Sequence, residues 1–147
     1  MQNSTVSDSF LTKEQNVKDY FKYCTTLEQK FEKIIELGKL LQPYPIDFKE
    51  VKNQVKGCQS TMYLHAEFLD GKVHFYAYSE ALISAGLAAL LLSVYNDESP
   101  ELILTYPPSF LEELGIQGYL SPGRAHGLAS LFQHMKRESL KFLVVSR

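Results

Sequence analysis

Asp70-Gly71 stands between two stretches of alternating apolar and polar residues, and little else in the sequence leaves the backbone so little choice. The dipeptide favours a two-residue turn with positive φ at both positions, whose twist suits an antiparallel hairpin. Thr61 to Leu69 and Lys72 to Tyr78 are read as its strands. Pairing Leu69 with Lys72 puts Met62, Leu64, Ala66, Phe68, Val73, Phe75 and Ala77 on one wholly apolar face. Tyr63, His65, Glu67, Lys72, His74, Tyr76 and Tyr78 share the other, mixed face. The first face belongs against a core. A third strand is left open.

Helical patterns lie on both sides of the hairpin. Thr12 to Tyr23 opens with Thr12-x-x-Gln15, the spacing of a capping box. A second helix is predicted after Thr25, with Leu27, Phe31, Ile34, Ile35 and Leu41 on one buried stripe. Pro43 and Pro45 end it, and Ile46 to Gly57 reads as a connection. Ser79 is expected to cap a helix over 80–95 that is apolar nearly all round, and therefore central. Ser99-Pro100-Glu101 opens a short helix, and another runs from Ser109 to Leu114 with Gly115 as its stop. Ser121-Pro122 opens the last, reaching at least Lys136. Strands confined to one hairpin argue α+β. The 147 residues fit a single domain, 1–147, whose first ten residues read as flexible.

Composition excludes some functions. Net charge is −2 and no basic stripe appears, so nucleic acid is not an expected partner. No apolar run reaches the ~18 residues of a membrane span. Met1 to Asp8 lacks the pattern of a secretory signal, so a cytoplasmic location with reduced thiols is expected. Cys24 and Cys58 are the two cysteines and form no C-x-x-C pair. A dithiol redox couple and a four-cysteine zinc site are thereby excluded.

Cys58 is the leading candidate for chemistry. It lies in Val55-Lys56-Gly57-Cys58-Gln59-Ser60, between the proline-bounded connection and the first strand. Gly57 suits a positive φ or a close backbone approach. The amides of Gln59 and Ser60, with Lys56 nearby, are expected to favour an anionic sulfur. An ordinary thiol, with pKa about 8.5, is only a few per cent thiolate at neutral pH. Lowering that to about 7 gains roughly tenfold in reactive fraction, so a docked partner must supply most of any rate. The competing reading is a buried structural cysteine.

Arg124 falls in the first turn of the last helix, where a cation opposes the helix dipole. A positive charge there invites explanation; the plain one is a surface arginine paired with a nearby carboxylate. His126 is a candidate base for Cys58, though no orienting acid is evident. His65, Glu67 and His74 share the mixed hairpin face and raise a metal site only as a minor alternative to a solvated surface. His134 is expected on a helix surface.

Gly57-Cys58-Gln59-Ser60, with Asn53 before it and Tyr63 after, resembles the signature of the SufE family of cysteine desulfurase activators. Further blocks follow in order: Leu27 to Phe31 with Ile34 to Gly38, Gly86-Leu87 with Tyr95, Ser99 to Ile103, and Leu120 to Arg124 with Gly127-Leu128. The similarity runs from about Tyr20 to Lys136. It implies a SufE/NifU-like α+β domain that is an accessory protein rather than an enzyme. It implies no cofactor of its own, PLP residing on a partner cysteine desulfurase of SufS type, and a SufBCD-type scaffold as recipient; a homodimer stays open. The family's sulfur-accepting cysteine falls on Cys58, as a persulfide sheltered in an apolar cavity. Gly57, Gln59 and Arg124 fall in supporting or partner-binding places. Three positions depart from the family pattern: Tyr63 for tryptophan, Tyr78 for an acid, and His126 for an amide. The rivals are a stand-alone hydrolase or transferase using Cys58 with His126, and an activator that binds the desulfurase and leaves Cys58 idle.

Overall fold

The computed structural model describes residues 6–145. Their order is α1 (Asp8–Phe21), α2 (Leu27–Gly38), β1 (Met62–Leu69), β2 (Lys72–Ser79), α3 (Leu82–Tyr95), α4 (Pro100–Thr105), α5 (Phe110–Leu114) and α6 (Pro122–Val145). Single 3-10 turns lie at Ile46–Phe48, Val51–Asn53 and Gln117–Tyr119. The class is α+β, as expected: one antiparallel pair with helices before and after it.

The hairpin keeps the expected register, with Leu69 opposite Lys72. Asp70 and Gly71 take φ of 53° and 78°, the left-handed pair that this turn requires. No third strand forms among the described residues. Two isolated bridges stand in its place, Gln54 with Tyr63 and Val73 with Glu98. Each flanking segment leaves the sheet after one bridge: on the second side Asp97, at φ 64°, turns the chain, and α4 begins at Pro100.

Met62, Leu64, Val73, Phe75 and Ala77 are buried, with α3 against β2 and α6 against β1. The run Ala85 to Leu92 of α3 is buried throughout, which explains a helix apolar on every side. α2 crosses α3 at Gly38 and Gly86. A β-carbon on Gly38 would stand 2.7 Å from the Gly86 nitrogen, and one on Gly86 would overlap the Ile34 carbonyl. Glycine permits this approach because it has no side chain to exclude.

The mixed hairpin face is partly covered too, although Glu67 and Lys72 stay exposed. Phe48 stacks on His65 with ring centroids 3.7 Å apart, Tyr44 lies 5.9 Å from Tyr63, and the Lys49 ammonium sits 3.7 Å from the Tyr78 ring centre. The connection that read as a plain loop is therefore a lid on the sheet. Burial, with Tyr63 and Glu50 nearby, pushes the Tyr44 phenol up to about 12.

Several boundaries differ from expectation. α1 begins at Asp8, inside the segment read as flexible, because Ser7 caps it by accepting the Phe10 N–H. Phe10 then packs on Tyr95 and Tyr106. Thr12 and Gln15 lie within this helix instead of opening it; residues 1–5 lie outside the described residues. α2 is capped by Thr26, one residue beyond Thr25, with Gln29 completing the capping box. Ser79 ends β2 rather than capping α3, which starts at Leu82. α6 starts as read, its Arg124 N–H donating to Ser121 Oγ at 3.2 Å.

α1 is tied down by a polar cluster. Buried Glu98 meets Lys13 at 2.8 Å and accepts from Ser7 Oγ at 2.6 Å, and Lys13 also reaches the Asn96 carbonyl. His134, expected on the surface, is only 5% exposed. The reason is that α6 is packed by α3, α4 and β1 together, so more than one stripe of it is covered. Burial lowers the His134 pKa below its ordinary 6.5, and its Nδ1 has no hydrogen-bond partner among the described residues.

Candidate functional site

A short loop is pinched shut just before the hairpin. The Val55 N–H donates to the Met62 carbonyl at 2.8 Å, beside the Gln54–Tyr63 bridge. Residues 56–61 must therefore double back on themselves. Gly57 makes this possible with φ of 86°, where a β-carbon would bring strain.

Cys58 follows it, partly buried and without a disulfide. Its Sγ lies 3.8 Å from the Gly127 carbonyl of α6, and a β-carbon on Gly127 would stand 3.2 Å from the sulfur. The absence of a side chain at 127 is what makes room for the thiol.

The sulfur borders a cavity of about 80 Å³, with Met62, Leu87 and Leu131 among its apolar walls. Two helix starts also line it: Ala81 and Ser84 at α3, Gly123 and Arg124 at α6. Helix N-termini carry partial positive charge and unpaired N–H groups, so the polar side of the cavity suits an anion better than a cation.

Among the sequence candidates, Gln59 and Arg124 share this cavity with Cys58. Arg124 has no carboxylate within salt-bridge range among the described residues, so the paired-surface reading does not apply. Lys56 does not belong here. It is exposed and lines a separate open groove with His126 and Arg137. Burial consequently decides the electrostatics, pushing the Cys58 thiol up, opposite to the expectation from Lys56 and the loop amides. Burial in this position favours the neutral thiol over the thiolate.

His126 is also turned away. It lines the groove with Lys56 and packs against Gly57, where a β-carbon would stand 2.6 Å from Nε2, and no hydrogen bond joins it to Cys58 among the described residues. The thiol–imidazole pair of a hydrolase is not assembled. Nor is the hairpin trio: His65 pairs with Glu67 at 3.1 Å, whereas His74 pairs with Asp97 at 2.9 Å and with Gln42. Among the described residues no group of three or more such side chains could hold a metal ion.

Residue-by-residue reading passed over the apolar walls and the fit of Cys58 against Gly127. The one available signal was Gly123 and Gly127 four apart near a helix start, a spacing that leaves a bare strip on one helix face.

Fold and site together define a small α+β protein that keeps a loop thiol at the edge of an apolar cavity, between two helix starts. The chain belongs to the SufE family. That family's model, described as an Fe-S metabolism associated domain, matches residues 15–139. The chain is 31% identical over 139 residues to the cysteine desulfuration protein SufE of Wigglesworthia glossinidia brevipalpis, covering 93% of this chain and 96% of that protein. It is 33% identical over 119 residues to the sulfur acceptor protein CsdE of Escherichia coli, covering 80% of this chain and 81% of the relative. A solution structure of a hypothetical protein from Thermus thermophilus superposes with a TM-score of 0.74 at 27% identity, covering 90% of this chain and 96% of the other.

Proposed function

We propose that this protein accepts sulfur on Cys58 from a cysteine desulfurase and carries it as a persulfide toward an iron–sulfur assembly scaffold. The observation that carries the reading is the place of Cys58: on a pinned loop, beside an apolar cavity, with Arg124 on the cavity wall. The names of the relatives, a desulfuration protein and a sulfur acceptor, support the same chemistry.

In the proposed step the Cys58 thiolate attacks the outer sulfur of the partner's cysteine persulfide. A new S–S bond forms to Cys58 while the partner's own S–S bond breaks, and the partner's cysteine leaves as thiolate. No net oxidation occurs, as in thiol–disulfide exchange. Two conditions follow from the geometry. The thiol sits against the cavity and the Gly127 carbonyl, where burial favours its neutral form, so the loop must turn outward for attack. The returning persulfide then needs shelter, and about 80 Å³ is several times the space that one water-sized group requires. Arg124 and the starts of α3 and α6 would steady the terminal sulfur as an anion. The proposed donor is a desulfurase of SufS type, with PLP on that partner, and the proposed recipient a SufBCD-type scaffold.

Incubation with desulfurase and cysteine, followed by mass spectrometry, should show one added sulfur on the peptide containing Cys58. Cys58→Ser should abolish the addition and most stimulation of the desulfurase while leaving complex formation intact. Undiminished stimulation by that variant would exclude the carrier role in favour of activation by binding alone.

A further inference from the structure

Gln59 combines two properties that rarely occur together. It is exposed, yet its carboxamide lies so close over Gly123 that a β-carbon there would overlap Cδ, Oε1 and Nε2 together. Both residues line the Cys58 cavity. The Gln59 side chain makes no hydrogen bond among the described residues, so the seat is one of shape: a flat amide in the notch of a missing side chain.

The neighbouring contacts between loop and helix are weaker or of another kind. Gly57 offers no side chain of its own, only backbone against which His126 and Ser130 of α6 pack, and the Cys58 thiol reaches the Gly127 carbonyl only at 3.8 Å. Sulfur is a poor hydrogen-bond donor. The polar ends of an exposed amide can meanwhile exchange freely with water, so unseating Gln59 leaves no polar group stranded.

From these contacts we infer that Gln59 is the latch of the Cys58 loop. Seated on Gly123, it keeps the thiol turned into the cavity; sliding off, it lets the loop carry the sulfur outward. Gln59 is thus a positioning residue, acting through the place of Cys58. This role rests on Cys58 being the working thiol, but its test does not require the desulfurase.

The test uses the full chain with Cys24→Ser, which leaves one thiol, and an aromatic disulfide reagent whose released thiolate is read by absorbance. Gly123→Ala should raise the reaction rate of Cys58 roughly tenfold by enlarging the open population. Helix content should persist, since alanine favours a helix over glycine. Gln59→Ala should give a similar gain. The two substitutions together should exceed either alone by less than about twofold, because both remove one contact. Gly118→Ala, at a site with open space around it, should leave the rate alone. Rates for Gln59→Ala within about twofold of the parent, or gains that multiply independently, would overturn the latch. If Gly123→Ala does not fold, Gln59→Ala decides by itself. A wild-type chain that takes no sulfur from the desulfurase would defeat the carrier reading while leaving this result standing.

Discussion

Cys58 and His134 are both titratable groups shifted by burial, and the shifts act in opposite pH ranges. For Cys58 burial pushes the pKa above that of an ordinary thiol, so alkylation of the free protein should inflect at higher pH than that of a small thiol. The folded state also holds this proton more tightly than the unfolded chain. Its contribution to stability is complete below the ordinary thiol value and is lost as pH rises through the folded one. His134 runs the other way. Burial lowers its pKa first; Glu138 works against that, and Arg137 and Lys141 work with it. The unfolded chain binds the proton more readily, so the contribution is complete above pH 6.5 and is lost as pH falls through the folded value. Urea midpoints measured from neutral to mildly acid pH should fall, and His134→Leu should flatten that slope. A slope unchanged in the variant would assign the acid sensitivity elsewhere.

Among the elements, the crossing of α2 and α3 depends most on a single atom's absence. Gly86→Ala gains about 1 kcal/mol of helix propensity. It also drives a methyl into the Ile34 carbonyl, for which the helices must separate. Overpacking of this kind costs roughly 1–3 kcal/mol, so the expected net result is a lower thermal midpoint. Calorimetry showing a stabilised variant would mean that the helices can part without penalty. Legibility at this scale follows how local the signal is. Asp70-Gly71, Gly115 and Ser121-Pro122 marked their elements correctly, because turn and cap chemistry is complete within a few residues. Thr12-x-x-Gln15 matched a pattern and failed, since α1 already starts at Asp8 with Phe10 anchored on distant aromatic rings. Packing outweighed the local box.

At the scale of the molecule, the site exists because three bodies meet: the pinched loop, the start of α3 and the start of α6. α1 packs on α3 and α5, and the Lys13–Glu98 pair ties it to the segment between α3 and α4. Lys13→Met would remove the cation from buried Glu98 and leave it the Ser7 hydroxyl, which costs about 3 kcal/mol. The urea midpoint should drop by the corresponding amount, and the sulfur uptake proposed for Cys58 should persist in the folded fraction. A drop within experimental error would mean that the pair contributes nothing net. The hairpin and its register, the α+β class, the loop cysteine and the start of the last helix were all readable along the linear chain. Each of these is written in residues close together along the chain. Packing in three dimensions was needed to show that Arg124, and not His126 or Lys56, shares a cavity with the thiol. It alone set the burial that raises the Cys58 pKa, put His134 inside and partly covered the second hairpin face. Those outcomes depend on what surrounds an atom in space: the nearest acceptor for the Cys58 sulfur, Gly127, lies 69 residues further along the chain.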